Sequence, residues 1–179
     1  SIAGVAFTTA AIATPLDLPE SRVDDICDSL ARRHLFIAEQ GFTERADGTT
    51  SVCYEFRHGL YQEVLYRLVS SNRRARLHQA IGEWVESIPG ADATDMVSEL
   101  AKHFEQGHDY KRATHYYHMA GEKALSRYAA REAHAYLQKA LALLEKCPEN
   151  TLRLNQELSI RILLGATLIT IEGFGGHQL

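Results

Sequence analysis

Cysteine is scarce in this sequence: Cys27, Cys53 and Cys147 are widely spaced and form no CxxC pair. An odd, sparse set reads as reduced structural thiols of a cytoplasmic protein, not a disulfide framework. Cys27 and Cys53 lie in apolar patterns and are expected to be buried and inert. Proline is scarce too, with 4 residues, and with 12 glycines the chain is neither fibrous nor linker-like. A basic excess is missing: 19 Lys and Arg face 23 Asp and Glu, and the net charge of -4 argues against a dedicated nucleic-acid binder. The longest apolar run, 162–171, is too short to span a bilayer. The start lacks the basic segment and cleavage pattern of a signal peptide. No GxxxxGK[ST] phosphate loop is present, and no apolar strand ends in paired acidic residues. No Ser/His/Asp order or paired-carboxylate motif stands out, so no residue is assigned to catalysis or to a cofactor.

What is present is enough apolar material for a core. Hydrophobic residues make up 45% and charged residues 23% of the 179 residues, sufficient for one ordinary domain or two small ones. The first part mixes signals. AFTTAAIATPL (6–16) predicts a short helix ended by Pro15. In LPESRVDDICDSLARRHL (18–35) Val23, Ile26, Cys27 and Leu30 recur at three and four, which predicts a second helix with one apolar stripe and Pro19 near its start. The period then changes. LFIAEQ (35–40) reads as a strand, Asp47-Gly48 as a turn, and VCYEFRH (52–58) alternates Val52, Tyr54 and Phe56 against Cys53, Glu55 and Arg57. Two helices followed by a hairpin give the order of a winged-helix unit once a first helix is counted; the pattern by itself gives a small α+β unit. Helices resume at 58–70, with Leu60, Val64, Leu65 and Leu68 on one side, and at 70–88, with Leu77, Ile81, Trp84 and Val85 and a cap at Ser71 or Asn72.

Pro89-Gly90 closes that region, giving an expected winged-helix-like domain over 1–87 and a TPR-like helical domain over 92–179. The fold class is mainly α. Four helices are predicted in the second part, at 93–106, 109–126, 130–146 and 152–171, with breaks at Gly107-His108, around Ala129 and at Pro148-Glu149-Asn150. Ala113, Tyr117 and Ala120 have the offsets 0, 4, 7, and so do Ala133, Leu137 and Ala140. Small residues facing large ones let helices approach closely, as in a solenoid. The sets are 20 residues apart, not the 34 of a regular tetratricopeptide repeat, so the repeats are degenerate. The last helix is apolar along most of its length, and EGFGGHQL (172–179) reads as the opening of a further element. Together with Ser1 in place of a starting Met, this predicts a segment of a longer protein, truncated at the C-terminus.

YEFRHGLYQEVLYRLVSSNRRARLHQAIGEWVE (54–86) closely resembles a segment that follows the ATPase core in large bacterial signalling ATPases, the AAA-like STAND group. These are often fused to adenylate or guanylate cyclase, kinase or LuxR-type domains. The carrying residues are Tyr54, Phe56, His58, Tyr66, Arg73, Arg74, Leu77 and His78. AGVAF (3–7) resembles the start of their winged-helix region, and 101–145 the opening of their TPR-like array. The resemblance implies an upstream domain using ATP and Mg, with this piece coupling it to downstream repeats or an output domain. The chain itself is then not an enzyme, whereas its parent would be an ATPase.

Candidate contact residues follow. The resemblance implies that His58 contacts nucleotide phosphate or the ATPase core; the plain alternative is a histidine bonded to the strand-helix turn. Arg73, Arg74 and Arg76 with His78 form a basic cluster at a helix start, where cations oppose the macrodipole. An acidic domain partner, a bound anion, DNA phosphates or simple solvation are the alternatives. Tyr110, Tyr116, Tyr117 and Tyr128 are candidate groove-lining aromatics of the array, for partner proteins. His115 and His118 share a helix face but lack the further ligands a metal needs. The apolar last helix is a candidate homo-oligomer surface. The competing function is a DNA-binding winged-helix regulator. Its recognition helix over 20–33 carries Glu20, Asp24, Asp25 and Asp28, which would repel phosphates; a basic wing around Arg45 would favour it.

Overall fold

The computed structural model describes residues 1–44, 48–88 and 93–175, the side chains of 93–95, 172, 174 and 175 excepted. Asp47 of the expected turn, Arg45, Pro89-Gly90 and residues 176–179 lie outside the described residues. The chain divides into two units, Ser1–Ala91 and Asp92–Leu179.

The first unit is a three-stranded antiparallel sheet with helices. Strand β1 (Ala6–Thr8) is followed by α1 (Thr9–Ala13), a 3-10 turn (Thr14–Leu16), α2 (Glu20–Arg32), and the hairpin β2 (Ile37–Glu44) and β3 (Thr50–Phe56). The sheet order is β1-β3-β2. Strand, two helices and hairpin in this order make the unit winged-helix-like. Helices α3 (Gly59–Leu68) and α4 (Ser71–Glu86) trail it.

The expected single helix over 6–16 is corrected at its start. Ala6–Thr8 pair with Cys53–Glu55 of β3, because Phe7 gains the rings of Tyr54 and Phe56 at 6.2 and 5.7 Å as a strand residue. Thr8 then caps α1, its hydroxyl accepting from the Ala11 amide. Pro15 does not stop the chain outright, since it sits early in a 3-10 turn where its missing N–H costs nothing. Strand β2 runs further than expected. A bulge between Glu39 and Gly41 absorbs one residue, and Gly41 takes the φ of 112° that this requires.

The core of this unit comprises Phe7, Ala13, Val23, Cys27, Ile37, Tyr54 and Phe56. Ile26, expected on the α2 stripe, is exposed. Cys53 is half-buried on β3, against the expectation of burial. Buried Cys27 has its thiol pushed up to about 11 by desolvation and the nearby Asp24. Glu20, one of the four acids of α2, is bonded within the unit. Its Oε1 accepts from Thr9 Oγ1 at 3.0 Å and Ser51 Oγ at 2.7 Å, while Ser51 Oγ accepts from the Ala10 amide. One carboxylate thus ties α1, α2 and β3 together. Helix α4 has Ser70 at its cap position with no side-chain cap bond, so neither Ser71 nor Asn72 caps it.

The described residues of the second unit form a stack of four helices, α5 (Ala93–Gln106), α6 (Tyr110–Ser126), α7 (Ala130–Leu144) and α8 (Thr151–Gly175), with breaks where the turn residues predict them. Asp109 caps α6 by accepting from the Arg112 amide, and Asn150 caps α8 by accepting from the Arg153 amide. Ala101, Phe104, Ala113, Tyr117, Ala133, Leu137, Ala140 and Ile160 are fully or almost fully buried. A close approach occurs at Gly121. A Cβ built there would lie 2.6 Å from Leu137 Cγ, so the α6–α7 spacing depends on glycine at this position.

Gly121→Ala is expected to destabilise the chain. Overpacking costs ~1–3 kcal/mol, more than the ~1 kcal/mol of helix propensity that alanine adds; urea denaturation measures the balance. Stability is also expected to fall at alkaline pH. Burial pushes Tyr54 up to about 12 from its ordinary 10, and burial with the Glu105 bond raises Tyr117 as well. Between these values the folded state binds more protons than the unfolded one. The contribution present below pH 10 is therefore lost progressively as pH rises toward 12. Phenolate absorbance and denaturation followed in parallel check this.

Candidate interaction surfaces

His58 is the cap residue of α3. Its Nδ1 accepts from the Leu60 amide at 3.1 Å, and its ring stands edge-on to Tyr61. The imidazole occupies the strand-helix turn, which is how a polar side chain with extended backbone satisfies an unpaired helix N–H.

The Arg73–His78 segment does not form one surface. Residues four apart share a helix face, so Arg74 and His78 turn inward onto Tyr66. The Arg74 guanidinium lies 4.8 Å from the Tyr66 ring centre, and its Nη1 donates to the Tyr66 carbonyl at 3.5 Å. His78 is buried with Nε2 3.0 Å from the Tyr66 hydroxyl. This triad fastens α4 to α3. Arg73 and Arg76 point outward and are exposed.

The face of α3 that the sequence marks as apolar is mostly uncovered. Leu65 packs on the core, whereas Leu60, Val64 and Leu68 are each more than half exposed. Tyr61 extends this face and meets exposed Phe36 edge-on at 5.4 Å. A continuous apolar patch of this kind on a folded unit marks a contact surface. On α2, Asp28 pairs with Arg32 at 2.8 Å, and half-buried Glu20 accepts from Thr9 and Ser51. Asp24 and Asp25 are the remaining acids of the helix read above as a DNA-facing element.

The four tyrosines of the array divide by role. Tyr117 is fully buried, its hydroxyl donating to Glu105 at 2.6 Å and accepting from Lys139 Nζ at 3.5 Å, with its ring stacked on Tyr136. Tyr116 stacks on Phe104 at 5.5 Å and is buried. Tyr110 lies under Lys146 and beside His108. These three build the helix interfaces. Tyr128 alone among the four is outward, at 93% exposure.

Tyr128 also has a left-handed backbone, φ 60°. It follows the C-terminus of α6, where the Ala129 amide donates to Ala124 O and the Tyr128 amide to Leu125 O. This is the Schellman closure, in which glycine ordinarily takes the left-handed position. His34 after α2 and His108 after α5 close their helices in the same way, with φ of 51° and 62°. None of the three carries glycine at the left-handed position itself, although Gly107 stands just before His108. Tyr128 borders an open groove of about 560 Å³, also lined by Arg131, Glu132, Thr170 and Ile171. Among the described residues no group of three His, Cys, Asp or Glu side chains is placed to hold a metal ion. His118 instead lies 3.4 Å from Ser159 on α8. No described helix is long and apolar enough to cross a membrane.

No family profile matches the chain, and no solved structure matches it. An uncharacterized protein of Rhizobium meliloti (strain 1021) is 30% identical over 176 residues, a match that takes in 97% of this chain and 17% of the relative. The chain thus spans about a sixth of the length of the curated relative it matches.

Tyr128→Gly is expected to stabilise the chain by about 0.5–1 kcal/mol, because it removes the cost of a left-handed side-chain-bearing residue. Thermal denaturation reads this as a raised Tm; a lowered Tm would mean that the tyrosine ring holds the α6–α7 connection.

Proposed function

We propose that the chain is a non-catalytic coupling and protein-interaction module of a larger ATP-dependent signalling protein. The α+β unit and helical array join an upstream nucleotide-binding core to downstream repeats or an output domain. The observation that carries the reading is the uncovered face of α3, where Leu60, Val64 and Leu68 remain exposed while the helix is held from behind by Leu65 and the Tyr66–Arg74–His78 triad. A helix anchored on one side and apolar on the other is suited to receive another domain and to report its position. Arg73 and Arg76, outward on the next helix, add positive charge that suits an acidic surface on that domain. The length of the Rhizobium relative is in keeping with a module set in a much longer chain.

A reading of the parent coding sequence tests this directly. A GxxxxGK[ST] loop is expected roughly 200–300 residues upstream of Ser1, the span of one or two domains; its absence would contradict the link to ATP. In the same parent, Val64→Glu with Leu68→Glu is expected to uncouple ATP turnover from output. In the isolated chain these exposed changes should shift stability by only ~0.5 kcal/mol.

A further inference from the structure

We draw no further inference here: the strongest candidate, the exposed apolar stripe that Leu154, Leu158, Ile162, Leu168 and Ile169 form on helix α8, carries none because nothing in the structure shows what covers it.

Discussion

The helical array depends on a large side chain entering a space left by a small one. Leu137 against Gly121 is one instance, and the alanines at 113, 120, 133 and 140 are buried in the same array. Close approach of helices multiplies small dispersion contacts and removes apolar area from water, and it fixes register because a shifted leucine has nowhere to go. The polar groups are arranged around this constraint. Tyr117 is fully buried beside the same contact and keeps its hydroxyl satisfied by Glu105 and Lys139. That network adds orientation to an interface whose spacing is already set by size.

The first unit solves a different problem. A short sheet with two small helices buries few residues, and the Glu20 carboxylate joins three elements by accepting from Thr9 and Ser51, with Ser51 accepting in turn from the Ala10 amide. The unit then presents α3 with only one edge packed. Helix α8 of the second unit likewise leaves Leu154, Leu158, Ile162, Leu168 and Ile169 exposed. Both units leave unburied a face that their sequence pattern marks as core-like.

Much of this was legible in the sequence. The 3.6-residue stripes and the turn residues give all four array helices, and the alternation through Tyr54 and Phe56 gives β3. What stayed hidden depends on partners distant in sequence. Ala6–Thr8 look helical by composition and become a strand only because β3 is available to pair. Glu20 reads as one of four acids on the polar face of its helix until Ser51, on another element, is brought beside it. The closures at His34 and Tyr128 lack the glycine that usually announces them, and at His108 the left-handed residue follows Gly107 instead of being a glycine. The basic stretch at 73–78 reads as one cluster, but helical geometry sends Arg74 and His78 inward and Arg73 and Arg76 outward. Periodicity also identifies an apolar face without saying what covers it, which is why Leu60, Val64 and Leu68 read as core and stand in solvent.

The central claim is that the spacing of α6 and α7 is set by Leu137 entering the space left at Gly121. Hydrogen exchange of Gly121→Ala beside the parent chain tests it most directly. Faster exchange in both α6 and α7 is the predicted result. Exchange in the two helices unchanged from that of the parent chain would contradict it.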